Sequence, residues 1–363
     1  MRIAMICHPH HPLREPWAGG MEMHSIMLTR ALLERGHAVT LLAKEGSEMP
    51  PGAQLHVIET AEHDYALNPD PERGAVQDER SEAAIRRACV AVAADPPDVV
   101  INNSLSALPH DLLAEQPLVS IMHSPVPVPS YLERFARDAT LPARHRFVTV
   151  SAANARAWSE HYPGVGVLPN GVDTAFWGAV APTSAPHRDG GVPQALWTGR
   201  ITHQKGVHVA IDAAQQAGVA LRISGLLSDP DYMEEQVRPR IQAARAAGGP
   251  SIEHVGHLSH AQIRQELART DVFIASPLWA EPFGLAPVEA MASGTPVAAT
   301  PRGAMPEVIK GGGVVAESAE TADLAAAIRA ALEVTPAAAR ENAACYGLEP
   351  MAQRLEEIIT SLP

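Results

Sequence analysis

Glu281-Pro282-Phe283-Gly284-Leu285-Ala286-Pro287-Val288-Glu289-Ala290-Met291-Ala292-Ser293-Gly294-Thr295-Pro296-Val297 follows an apolar strand-like run and reads as loop, short helix and strand. Pro287 suits the first turn of a helix, where its missing N–H costs nothing. Gly294 suits the stop. This reading places Glu281 in the loop and Glu289 in the first turn. Gly284 lets backbone N–H groups approach a ligand closely, and a helix N-terminus attracts anions. One acid in the loop and one in the helix are disposed to take sugar and ribose hydroxyls. A solvated loop acid and a dipole-complementing helix acid would explain each glutamate singly, but not the whole string.

The strand-helix alternation extends outward from this stretch. Strands are predicted at Ala195–Thr198, Leu221–Ser224, Glu253–Val255, Val272–Ala275 and Val297–Ala299, with helices over 205–217, 231–247, 260–269 and 286–293. The first half alternates in the same way. Its strands are predicted at Ile3–Cys7, Val39–Ala43, Leu55–Ile58, Asp98–Asn102, Leu118–Met122 and Phe147–Val150, with helices at Met21–Arg35 and 79–94. Such alternation implies an α/β fold with parallel sheets covered by helices on both faces. Residues 178–193, rich in Pro, Gly, Ala, Ser and Thr, separate the halves as a loop. The expected organisation is two Rossmann-like doubly wound domains, 1–168 and 169–347, with a final helix over 348–363 crossing back to the first. Ligands of such sheets bind beyond the carboxyl ends of the strands, so the two domains are expected to share a cleft.

Thr198-Gly199-Arg200-Ile201-Thr202-His203-Gln204-Lys205-Gly206 runs from a strand end into a helix. Its two cations can grip a diphosphate from two sides, Arg as a fork and Lys as a point charge. A solvated basic loop explains the spacing equally well. Trp17-Ala18-Gly19-Gly20-Met21-Glu22 joins the first strand to the first helix, and its glycines permit close approach to phosphate. It lacks the GxGxxG spacing of dinucleotide oxidoreductases. His123, in Met122-His123-Ser124-Pro125, stands at a strand end, and Gly256-His257-Leu258 follows another strand. Pro169-Asn170-Gly171-Val172-Asp173 carries a turn signal at the domain junction.

The stretch from Glu281 to Val297 resembles the retaining GT-B glycosyltransferases of family 4, the group that includes glycogen synthase and sucrose synthase. The resemblance is specific over residues 195–310 and looser before 165. It implies transfer of a sugar from a nucleotide-sugar donor, with UDP the commonest base, to a hydroxyl of a small-molecule or glycan acceptor. It implies retained anomeric configuration, no cofactor and no metal. It puts Glu281 on the donor sugar, the backbone of Phe283, Gly284 and Leu285 on sugar and phosphate, and Glu289 on the ribose. Arg200 and Lys205, beside Gly199, become the diphosphate pair. Gly19 and Gly20 fall near donor phosphate and acceptor, His123 near the donor sugar, and Gly256, His257 and Leu258 near the base. Two departures stand out: Arg302-Gly303 replaces the usual Gly-Gly, and Ser224-Gly225-Leu226 lacks the acid of a G-D-G loop. The same architecture also serves sugar-nucleotide epimerases and non-catalytic sugar-nucleotide sensors, which are the rival readings.

Two stretches imitate metal sites. Asp229-Pro230-Asp231 has a D-x-D form, but it precedes a helix and helix capping accounts for it. His8-Pro9-His10-His11-Pro12 lacks accompanying carboxylates or cysteines, and its prolines splay the imidazoles, so it reads as an acceptor-side loop rather than a zinc site. Arg134, Arg137, Arg144 and Arg146 read as a solvated helix face, with binding of an anionic acceptor the alternative.

Composition sets the outer limits. The chain has 363 residues, enough for two cores. Its formal charge of -13 argues against a nucleic-acid partner. Aromatics make up only 4%, so packing must lean on aliphatic residues and alanine. The three cysteines, Cys7, Cys89 and Cys345, lie far apart, as expected in a reducing cytoplasm. The first apolar run is too short for a signal peptide, and no stretch approaches the roughly 20 apolar residues of a membrane span.

Overall fold

Six strands of the first half each leave the same edge of one sheet: β1 (Arg2–Cys7), β2 (Ala38–Lys44), β3 (Gln54–Ile58), β4 (Val99–Asn103), β5 (Leu118–Met122) and β6 (His145–Thr149). A two-residue strand, β7 (Gly166–Val167), completes it. The order is β3-β2-β1-β4-β5-β6-β7, and all pairs are parallel. A computed structural model provides these coordinates and describes residues 1–58, 71–179 and 191–363. The expected linker 178–193 thus falls largely outside the described residues.

β4 and β5 are buried along their whole length, which is why they read as continuous apolar runs rather than alternations. The helix Gly20–Glu34 buries Ile26, Leu28 and Leu32 against the sheet, while Leu33 is half-buried. Four of the scarce aromatics, Tyr131, Phe135, Phe147 and Trp158, form one buried cluster. The C-terminal helix Leu348–Thr360 buries Met351, Leu355, Ile358 and Ile359 and packs on the helix Gly20–Glu34. Arg35 grips Glu356 with both arms of its guanidinium, at 2.7 and 2.5 Å, and this fork lowers the Glu356 pKa to about 2. These segments, Met1–Gly171 and Leu348–Pro363, form one compact unit.

The second unit is Val172–Gly347. Its strands are β8 (Gln194–Thr198), β9 (Ala220–Ser224), β10 (Ile252–His254), β11 (Val272–Ala275), β12 (Val297–Ala299) and β13 (Gly313–Val315). Their order is β10-β9-β8-β11-β12-β13, again with every pair parallel. The helices Val207–Ala217 and Thr321–Ala331 pack together through small residues, among them Ala210, Ala213, Ala214, Ala325 and Ala327. Abundant alanine permits this close approach and stands in for aromatic bulk.

Several elements lie outside the sequence expectation: β7, β13 and the helices Thr321–Ala331 and Pro336–Ala344. The helical stretch from Pro230 to Ala247 contains a wider turn at Met233–Val237, just before Pro239, whose missing N–H interrupts the regular ladder. In both sheets the strand order reverses beside the first strand of the unit, between β1 and β4 and between β8 and β11. Such reversals open a crevice at the carboxyl edge, where ligands of doubly wound sheets bind.

Candidate active site

The loops leaving β8 and β11 are joined directly across the reversal point of the second sheet. β8 runs into Gly199-Arg200 and a short turn at His203–Lys205. β11 runs into Ser276 and the loop carrying Glu281. The Ser276 hydroxyl donates to the carbonyls of Lys205 and Gly206, at 3.2 and 2.9 Å, and accepts from the Trp197 indole at 3.1 Å. Gly206 is left-handed, with φ +67°, and a Cβ there would lie 2.1 Å from the Ser276 carbonyl oxygen. Only glycine lets the two loops close this far.

That junction places Lys205 Nζ 2.6 Å from Glu281 Oε2. The Trp279 indole N–H donates to the same oxygen at 2.8 Å, and the ammonium lies 5.3 Å from the Trp279 ring centroid. The Glu281 side chain retains 12% exposure, so the pair is desolvated without being sealed. Its backbone is held from the β12 side, where Ala304 N–H donates to the Glu281 carbonyl at 2.8 Å. Gly303 lies against the same backbone: with φ +59°, a Cβ there would fall 2.2 Å from the Glu281 carbonyl oxygen. The departure at Arg302 is therefore accommodated, because Arg302 is exposed with an ordinary φ and only the second position of the pair requires glycine.

Glu289 stands apart from this pair. The helix Leu285–Ser293 begins one residue earlier than expected, with Gly284 as its left-handed cap, so Glu289 is in the second turn and not the first. It is 5% exposed, and burial raises its pKa to about 8. Its Oε1 lies 4.0 Å from His260 Nε2, and the His260 ring tilts against Trp177 at 5.1 Å. No side chain caps the start of this helix. Leu285 is half-buried, whereas Phe283 packs edge-on against Tyr346 at 5.4 Å and belongs to the core.

Arg200 is half-buried. Among the described residues no hydrogen bond or ion pair links Arg200 or Glu289 to the Lys205–Glu281 pair. At the neighbouring strand ends, Gly225 N–H donates to the Gly256 carbonyl at 3.0 Å. A Cβ on Gly225 would sit 1.6 Å from the Gly199 oxygen, so the Ser224-Gly225 loop is pressed on the Gly199-Arg200 loop even without an acid. Leu258 N–H donates to the Ser224 hydroxyl at 3.3 Å, and His257 is exposed.

In the first unit Gly19 caps the helix Gly20–Glu34 in extended backbone, and Gly20 is exposed. His123 follows β5, and its Nε2 lies 2.7 Å from Asn103 Oδ1 at the end of β4. Its ring meets His24 edge-on, with centroids 4.4 Å apart. Burial first, and the His24 ring second, hold the His123 pKa well below the usual imidazole value.

The two stretches that imitate metal sites are held by local contacts. Asp229 caps a helix, its side chain accepting from Tyr232 N–H at 3.0 Å. His8 packs edge-on against His10, which is 2.7 Å from the Ser81 hydroxyl. Among the described residues no group of three or more His, Cys, Asp and Glu is placed to hold a metal ion. Arg134 corrects an expectation: it is buried, not solvated, and is bound to Asp111 at 2.7 Å and to the Thr140 carbonyl at 3.1 Å. Trp279, Ser276, Asn103 and His260 gave no signal in the sequence.

Two family descriptions match consecutive parts of the chain, "Glycosyltransferase Family 4" over residues 18–176 and "Glycosyl transferases group 1" over residues 184–346. The chain belongs to the GT-B glycosyltransferases. Glycogen synthase of Mycobacterium tuberculosis is 35% identical over 184 residues, which are 49% of this chain and 42% of that protein. The match thus spans less than half the length of that relative. Among solved structures, sucrose-phosphate synthase from Thermosynechococcus elongatus superposes with a TM-score of 0.80 at 17% identity, covering 99% of this chain and 98% of that one. Anabaena Alr3699/HepE in complex with UDP and glucose superposes with a TM-score of 0.72 at 19% identity, each chain fully covered. The glycosyltransferase fold is therefore shown over both units. Among its described residues no helix is long and apolar enough to cross a membrane.

Proposed function

We propose that this glycosyltransferase takes a sugar from a nucleotide-sugar donor, with UDP the base to test first, and passes it to a hydroxyl of a small-molecule or glycan acceptor. The configuration at the anomeric carbon is retained, and no metal takes part. One observation carries the reading: a lysine, a glutamate and a tryptophan from two loops converge at the reversal point of the second sheet. An activated sugar needs a cation for its diphosphate and an acceptor for its hydroxyls, and Lys205 and Glu281 supply them 2.6 Å apart.

In this scheme the diphosphate competes with Glu281 for Lys205 and is also held by Arg200 and by the N–H groups of Leu285 and Ala286. The bond from the anomeric carbon to the diphosphate oxygen breaks as the acceptor oxygen attacks from the same face. The acceptor proton passes to the departing phosphate oxygen. Fixed positive groups stabilise that oxygen as charge develops. In the second unit Glu281 takes a sugar hydroxyl and buried Glu289 takes the ribose diol; in the first unit His123 takes a substrate hydroxyl. A bound nucleotide structure in the Anabaena neighbour favours UDP.

Thermal-shift titration with UDP-, GDP- and ADP-sugars tests the donor, since a ligand that binds the folded state raises its melting temperature. Stabilisation by UDP-sugars, with turnover indifferent to EDTA, is expected. Turnover that disappears with EDTA and returns only with a divalent ion would overturn the metal-independent scheme.

A further inference from the structure

The histidine at the end of β5 is held by a chain of side chains whose hydrogen-bond directions can be worked out from a backbone carbonyl. Ser25 Oγ lies 3.0 Å from the Met21 carbonyl oxygen, which only accepts, so the serine hydrogen is committed there. The serine lone pairs then face Asn103 Nδ2 at 2.8 Å, which fixes the amide with its NH2 toward Ser25. The opposite end of the amide, Oδ1, faces His123 Nε2 at 2.7 Å. An amide oxygen only accepts, so His123 Nε2 carries the hydrogen. A neutral imidazole has one N–H, which leaves Nδ1 as a bare acceptor.

We propose that Asn103 is a positioning residue that locks His123 in the Nε2–H tautomer through the Met21–Ser25–Asn103 chain, so that His123 Nδ1 accepts a hydrogen bond from a substrate hydroxyl. Ser25 and Asn103 are themselves buried, at 2% and 0% exposure, so water does not compete for these directions. Ser25 lies on the helix that follows β1 and Asn103 at the end of β4. The chain therefore crosses the reversal point of the first sheet and fixes the ring relative to both strands. Burial keeps the His123 ring neutral, and the His24 ring edge-on to it supplies no negative charge to hold a second proton. A neutral, singly oriented imidazole discriminates by accepting only, so it favours a ligand hydroxyl over a ligand carbonyl or ether oxygen.

The inference rests on the proposed role of His123 in transfer, and the experiment separates the two. Nitrogen-15 spectra of histidine-labelled protein, with the His123 signals assigned by their loss in His123→Gln, report the tautomer without any turnover. An unprotonated Nδ1 in the wild type is expected, and a protonated Nδ1 overturns the lock. Asn103→Ala is expected to mix the two tautomers and lower kcat roughly 10- to 100-fold, with the melting temperature measured alongside. Asn103→Asp keeps an acceptor for Nε2–H and adds a negative charge. It is expected to restore the Nε2–H tautomer and shift the acid limb of the kcat profile to higher pH. An Asn103→Ala enzyme with the wild-type tautomer and pH profile overturns the proposal. Full activity in His123→Gln, with the tautomer found as stated, would instead remove the role assigned to His123 and leave the lock standing.

Discussion

Lys205 and Glu281 form an ion pair at 2.6 Å although 76 residues separate them in the chain, because their loops leave neighbouring strands, β8 and β11. Each partner keeps the other half-desolvated and correctly aimed. Lys205→Ala and Glu281→Ala are each expected to lower kcat by roughly 100-fold or more, the scale of losing one preorganised electrostatic group. The double variant should lose far less than the product of the two, since in the proposed scheme both act on the same bound diphosphate sugar. Removing one partner also strands a charge, at an expected cost of about 1–3 kcal/mol in stability. Nucleotide-release kinetics with melting curves check all three statements, and wild-type turnover in both single variants would discard the site.

A second prediction concerns Glu289. Burial raises its pKa to about 8, so the folded protein keeps a proton that the unfolded chain releases above the ordinary glutamate value of about 4.3. The stability associated with that proton is complete below that value and is lost as pH climbs through about 8. Glu289→Gln mimics the protonated form. Its melting temperature should match the wild type near pH 5 and exceed it near pH 8.5, while affinity for the nucleotide falls by roughly 10-fold through the altered ribose contact. A melting difference that does not change with pH would show that Glu289 ionises freely in the folded state.

The strand pattern was legible because buried parallel strands are continuous apolar runs, and Val272–Ala275 and Leu118–Met122 lie where their residues place them. Short edge strands such as Gly166–Val167 and Gly313–Val315 carry too few residues for a period to register. At the site, Glu281, Lys205 and Gly284 were legible because each sits where a strand gives way to a loop or a helix begins. Trp279 and Ser276 were not, since their roles are contacts with residues 2 and about 70 positions away that no local pattern encodes. Glu289 was found but set one turn too early, because the helix starts at Leu285, ahead of the proline that suggested its beginning. Arg134 was misread as solvated because its partner, Asp111, lies 23 residues away on another helix.

The last prediction concerns acid stability, and it arises from two histidines outside the proposed site. His145 Nε2 lies 3.2 and 3.1 Å from the carbonyl oxygens of Leu113 and Gln116, so it carries the hydrogen and its Nδ1 is bare. That Nδ1 is 3.0 Å from His110 Nδ1, which must donate, and His110 Nε2 then accepts from the Ser120 hydroxyl at 2.9 Å. Every nitrogen is satisfied while both rings are neutral. A proton on His145 reverses the bond between the rings and turns Ser120 from donor to acceptor, and it enters a buried region that also contains Arg134. Burial accordingly lowers the pKa of both histidines. The unfolded chain takes up protons near pH 6.5 that the folded protein refuses, so stability is complete above that pH and declines as pH falls below it. Each such histidine adds a slope of at most about 1.4 kcal/mol per pH unit. The melting temperature should therefore drop between pH 7.5 and 5. His145→Gln removes one titrating ring; it should melt lower at pH 7.5 but follow a visibly flatter curve of melting temperature against pH. Parallel curves for the two proteins would mean that this pair titrates no differently folded than unfolded.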